Sequence, residues 1–129
     1  MIALLLTLIP TATEPLKVPD KAEKDLSGIY YLEGKLQGTY TGAVTILKAR
    51  DIYIVTYANA GGGATVGTGI RQGKTLSVGW TTGGKAGITI YQIEGKTLSG
   101  TWATWPGDGR HYRETLTYLR DLPPAEDDE

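Results

Sequence analysis

The chain has no cysteine, no phenylalanine and only one histidine. Without cysteine it can form no disulfide, no thiolate metal site and no thiol nucleophile, and it can carry no lipid on a lipobox cysteine. The single histidine, His111, sits in "GDGRHYRET". One imidazole does not make a typical zinc site, and no Asp-x-Asp loop of the kind that gathers calcium is present, so neither a metal nor a cofactor is expected. His111 reads instead as an exposed residue opening a strand. Ser27, Ser77 and Ser99 stand outside any Gly-x-Ser-x-Gly elbow. A serine hydrolase therefore has no support, and the chain reads as a non-enzyme. Like charges do not cluster either. Residues 25–120 hold ten Lys and Arg against six Asp and Glu, an excess that the terminal "DLPPAEDDE" offsets to a net charge of -1. A scattered surplus of this size favours solubility and is no nucleic-acid footprint.

What the chain does have is glycine, β-branched residues and aromatics: eighteen Gly, eight Tyr and three Trp in 129 residues. That mixture, without a long Ala/Leu/Glu/Lys stretch, indicates an all-β chain. The length suits one domain, read as a β-barrel over residues 26–120. The opening "MIALLLTLIPTATEP" contains an apolar run at residues 2–9, too short for a bilayer-spanning helix of about 20 residues. Residues 1–13 read as a signal peptide or as an apolar arm. The small stretch Thr11-Ala12-Thr13 could be a cleavage site, but no Lys or Arg precedes the run. Export implies a secreted or periplasmic protein with no membrane span in its mature chain. Residues 14–25 read as a proline-rich, charged linker, and 121–129 as an acidic disordered tail.

Between the tails, runs of β-formers alternate with turn residues every 8–12 positions. Eight strands are expected, over 28–33, 38–47, 51–58, 64–71, 74–81, 86–93, 96–104 and 111–119. Their connections are too short for a helical crossover, which leaves antiparallel pairing. Alternation places Leu76, Val78 and Trp80 on one side of the fifth strand, Tyr40, Val44 and Ile46 on one side of the second, and Leu98 and Trp102 on one side of the seventh. The other side is rich in threonine. A single meander with one apolar face hides that face by closing into a small barrel, which holds side chains or one small ligand. Gly42, Gly79, Gly87 and Gly100 fall inside strands, where glycine costs stability unless the chain bends sharply or another group approaches. The curved wall of a small barrel supplies such a reason.

The phrase "QGKTLSVGW" at 72–80 returns as "EGKTLSGTW" at 94–102. A phosphate loop needs a glycine five positions before the Gly-Lys-Thr glycine, but Thr68 and Ile90 stand there, and strands follow where a helix would be required. The phrase is thus a turn-and-strand unit. A looser third copy, "EGKLQGTYTG" at 33–42, suggests one hairpin used three times, each carrying an aromatic inward: Tyr40, Trp80 and Trp102.

Glu114 shares its alternation with Tyr112, Leu116 and Tyr118, which would place it in the lumen, where a carboxylate needs a partner or a raised pKa. The last strand is polar on both sides, however, and this favours a rim or surface ion pair. Tyr53, Val55 and Tyr57 alternate with Ile52, Ile54 and Thr56, so the third strand has apolar character on both faces; one of them would meet another subunit or the terminal arm. The stretch "NAGGGATVGTG" at 59–69 reads as a lid over the barrel mouth or as a flexible loop running into a thin strand.

In strand number and size, residues 26–119 resemble the lipocalin and avidin type of eight-stranded barrel. The series "GTYTGAVTI", "IYIVTY", "LSVGW", "GITIYQI", "LSGTW" and "ETLT" is similar to a group of short exported bacterial proteins of unassigned function. The lipocalin Gly-x-Trp opening stands here as Gly28-Ile29-Tyr30, and no avidin-type set of biotin contacts can be laid onto the chain. The aligned inward aromatics and the capacity of such a barrel for a cavity point to a non-enzymatic module that binds a small apolar or aromatic molecule, or a partner surface, with Tyr40, Tyr57, Trp80, Trp102 and Glu114 as candidate lumen contacts. The alternatives are a filled barrel that acts as a structural, inhibitory or protein-binding module, and an enzyme using Glu114 with nearby tyrosines as acid and base.

Overall fold

A strand with one apolar side must bury that side, and here the sheet does so by closing on itself. The computed structural model describes residues 24–59 and 62–124. They form eight strands, β1 (Gly28–Lys35), β2 (Thr39–Ala49), β3 (Ile52–Ala58), β4 (Ala64–Gln72), β5 (Thr75–Thr82), β6 (Lys85–Glu94), β7 (Thr97–Trp105) and β8 (Tyr112–Arg120). Each pairs antiparallel with the next, and β8 pairs back onto β1 to complete a closed barrel. All eight expected strands are present, with ends displaced by at most two residues. The apolar run in 1–13, most of the linker expected over 14–25 and the acidic end of the tail lie outside the described residues. Among those described, no helix is long and apolar enough to cross a membrane.

The two close copies of the repeated phrase have the same local structure. Gly73 and Gly95 each open a two-residue turn with φ of 62°. Glycine at the first turn position with positive φ matches the right-handed twist of the strands it joins. The Lys74 carbonyl then accepts from the Ile93 N–H at 2.8 Å, and the Lys96 carbonyl from the Tyr118 N–H at 2.9 Å. The third copy departs from this plan. Gly34 and Lys35 finish β1, and the turn comes later at residues 36–38, where Gln37 and Gly38 take φ of 58° and 119°. Gly34 is therefore a buried strand residue rather than a turn residue.

The barrel is solid at one end and hollow at the other. At the solid end Ile46, Val55, Leu76, Val78, Leu98 and Leu116 are fully buried, each such burial contributing about 1.5–3 kcal/mol relative to exposure. The residues just before β1 close this end. Leu26 is buried, its N–H donates to the Tyr53 hydroxyl at 3.3 Å, and its carbonyl accepts from the Tyr30 hydroxyl at 2.8 Å. Tyr30 meets Tyr118 edge-on, with ring centroids 5.6 Å apart. Tyr53, Val55 and Tyr57 turn inward on β3, while Ile52, Ile54 and Thr56 stay half-buried on the outer side.

Glycines inside the strands provide room for rings more than they provide bends. Tyr40 pairs across from Gly34, Trp80 from Gly87 and Tyr91 from Gly100. A Cβ on Gly34 or Gly87 would lie 2.3 Å from the ring of Tyr40 or Trp80, and one on Gly100 would lie 2.7 Å from Tyr91. A Cβ on Gly42 would lie 3.3 Å from the Ala58 carbonyl oxygen, while one on the outward-facing Gly79 would meet nothing within 4 Å. The curvature expected to explain all four glycines explains neither Gly87 nor Gly100, whose absent side chains make space for neighbouring aromatics.

Candidate functional site

Position 114 on β8 faces the lumen, and its cross-strand neighbours on both sides are glycines, Gly34 on β1 and Gly100 on β7. Tyr40 on β2 lies over Gly34 and Tyr91 on β6 lies over Gly100, so each phenol spans a bare strand to reach the carboxylate. The Tyr40 hydroxyl donates to Glu114 Oε1 at 3.1 Å, and the Tyr91 hydroxyl to Oε2 at 2.5 Å. A side chain at either glycine would occupy the space these rings need. Glu114 is consequently a buried lumen residue, 9% exposed. The rim or surface ion pair suggested by the mixed polarity of β8 does not form, because the alternation continues unbroken through Leu116 and Tyr118.

Two chains of donors converge on this carboxylate. In one, the Trp102 indole N–H donates to the Tyr40 hydroxyl at 2.9 Å, which donates to Oε1. In the other, the Tyr57 and Tyr91 hydroxyls lie 2.8 Å apart, and the Trp80 indole N–H is held nearby by Thr89 Oγ1, to which it donates at 2.9 Å. Because the Tyr91 proton points at Oε2, its oxygen accepts the Tyr57 proton. One chain begins at the Trp102 indole N–H and the other at the Tyr57 hydroxyl, and each ends on one carboxylate oxygen. Burial pushes the Glu114 carboxyl above its ordinary value, and the hydrogen bonds from Tyr91 and Tyr40 pull it part of the way back. Burial, reinforced by the charge of Glu114, pushes the phenols of Tyr40, Tyr57 and Tyr91 up and keeps them protonated as donors.

Above the carboxylate is a cavity of about 430 Å³, open at the end opposite Leu26. Its wall holds Tyr40, Tyr57, Trp80, Trp102 and Glu114, so all five residues singled out from the sequence are brought together there. Trp80 and Trp102 have ring centroids 6.2 Å apart. They reach this level from turns at the far end of the barrel, whereas Tyr40 follows the near turn directly. Leu36, Asn59 and Thr82 contribute from the connections and strand ends around the mouth. Asn59 bonds Thr65, and backbone contacts from Asn59 to Gly62 and Gly63 close the β3–β4 connection; residues 64–69 belong to β4.

Sequence reasoning missed Tyr91 and Thr89. Both lie in "GITIYQI", where isoleucines occupy the alternate positions and mask the inward pattern: Ile88 and Ile90 face outward and are exposed, while Thr89 and Tyr91 are buried. A signal was available in the turn at 95–96, which sets Tyr91 opposite Gly100 by counting back along the hairpin. His111 is exposed, just ahead of β8. With Glu33, Lys35 and Arg113 it borders a second hollow at the end of the β1–β8 seam, which Glu114 also reaches, but none of these side chains forms an ion pair with the Glu114 carboxylate. No group of three or more metal-ligating side chains occurs among the described residues.

Fold and site define a closed eight-stranded antiparallel barrel, filled at one end, with an aromatic cavity over a buried carboxylate at the other. No protein-family model matches the chain, and no curated protein matches it significantly.

Proposed function

We propose that this chain is a binding protein for a small, largely apolar molecule held in the open end of the barrel, kin in kind to exported lipocalin-like carriers. The observation that carries this reading is the cavity itself: about 430 Å³ beside Trp80 and Trp102, at the end of a lumen whose other half is tightly filled. A volume of that order suits one small ligand, and walls of hydrophobic and aromatic side chains with placed polar groups are typical of such sites. The indole N–H groups of Trp80 and Trp102 and the Tyr40 hydroxyl are already engaged within the wall, so these rings offer mainly carbon to an occupant.

The arrangement gives less support to acid–base catalysis by Glu114. Both carboxylate oxygens accept phenol protons, and phenols held above their ordinary pKa exchange protons poorly near neutral pH. These tyrosines are suited to holding the carboxylate in place. The binding reading is tested by titrating tryptophan fluorescence of the full chain with a panel of lipophilic compounds, alongside native mass spectrometry of protein purified from its source. Saturable change in the emission of Trp80 and Trp102, lost in Trp80→Leu, is expected. Unchanged emission across the panel and no retained molecule would sink the reading.

A further inference from the structure

We infer that the ligand is an organic cation: an amine, protonated at neutral pH, attached to an apolar body that fills the aromatic cavity. The inference rests on the reading above, that the cavity holds a small molecule, and it names the chemical class. Among the described residues, Glu114 is the one ionisable group lining the cavity that is not a phenol, and no Lys, Arg or His lines it. A carboxylate offers about four acceptor sites, of which Tyr40 and Tyr91 take one on each oxygen. No other side-chain donor among the described residues reaches it, and the carboxylate belongs to the cavity wall.

The direction of the donor chains favours the charged carboxylate. Tyr40 and Tyr91 each place a donor on one carboxylate oxygen, and protonating Glu114 toward either phenol would displace that donor. The arrangement therefore suits a negative charge, and that charge has no ion-pair partner among the described residues. A buried charge is costly unless it is paired. An amine supplies the pair, and the rings of Trp80, Trp102, Tyr40 and Tyr57 around it attract a cation further. A neutral ligand would bury the carboxylate more deeply without compensation, and an acidic one would add like-charge repulsion.

The test uses the full chain and three apolar bodies, hexyl, 4-phenylbutyl and naphthylmethyl, each as primary amine, alcohol and carboxylate, with affinities measured calorimetrically. The amine should bind about tenfold or more tighter than the matched alcohol, and the carboxylate most weakly. Glu114→Gln should abolish the difference in affinity between each amine and its matched alcohol. In native protein, independently of that variant, the preference should fade as acid neutralises the carboxylate. Tyr40, Tyr57, Tyr91 and Thr89 around it do not change charge in acid, and a His111→Gln control removes the exposed imidazole at the seam, beside Glu33, Lys35 and Arg113. Equal binding of amine and alcohol, or a preference that survives both Glu114→Gln and acid, overturns the cation but leaves the cavity reading standing. Binding by none of the nine compounds overturns both.

Discussion

Glu114 is held by two phenols and kept from water by the glycines that admit them, and its ionisation is therefore tied to folding. Its pKa is higher in the folded chain than its ordinary value of 4.5, so over that interval the folded state keeps a proton that the unfolded state has lost. Stability from this group is greatest in acid and declines as pH rises from about 4.5 through the raised folded value. Glu114→Gln removes that titration. Thermal midpoints of both proteins between about pH 4 and about pH 8 should show the native chain losing ground to the variant as pH rises; a constant gap would disprove the coupling. The tyrosines give a corresponding alkaline effect. Burial, with Tyr118 nearby, pushes Tyr30 up to about 12, and Tyr40, Tyr57 and Tyr91 move in the same direction. Their folded forms keep the proton above pH 10, so stability is fully present below about 10 and falls as pH climbs through the raised values. Ultraviolet tyrosinate absorbance from these four should rise together with the loss of circular dichroism, not ahead of it.

Within elements, the recurring unit is an aromatic ring laid over a glycine on the adjacent strand. Gly87→Ala would put a Cβ 2.3 Å from the Trp80 ring and should cost about 1–3 kcal/mol by overpacking. Gly79→Ala, on the outer face of the neighbouring strand with nothing within 4 Å, should be neutral or stabilising by up to about 1 kcal/mol, through a less flexible unfolded chain. Denaturant midpoints of the two variants would separate the roles; equal effects would mean that the ring contact at Gly87 carries no weight. These pairings were partly legible. The Gly-Lys turns at 73–74 and 95–96 declare their hairpins, and with them the partners of Leu76 and Leu98. The looser copy at 33–42 misled, because Gly34 looks like a turn residue in the phrase and only the pairing register shows it beneath Tyr40.

At the scale of the whole molecule, the barrel divides its labour between its ends. The filled end, closed by Leu26, Tyr30 and Tyr53, supplies stability, while the open end holds the cavity and its polar network. Leu26→Ala should therefore cost about 2–3 kcal/mol in unfolding free energy without altering the affinity of any cavity ligand, since Leu26 lies at the opposite end from the mouth. A cost below about 0.5 kcal/mol would show that the segment before β1 is not part of the closure, and a changed affinity would show that the two ends are coupled.

Alternation of residue types, the turn glycines and the absence of cysteine and histidine clusters were enough to indicate an antiparallel meander of eight strands with Tyr40, Trp80 and Trp102 on its apolar side, and to leave no thiol or multi-histidine chemistry to this sequence. Those features act over one strand or one hairpin, and such local physics can be read directly from order along the chain. Tertiary structure decided that β8 closes on β1, that Glu114 therefore sits between Gly34 and Gly100, and that Tyr40 and Tyr91 reach it from opposite sides. Tyr40 and Glu114 are 74 positions apart in the chain. No local pattern encodes such a distance; ring closure creates it, and with it the buried carboxylate on which the binding proposal depends.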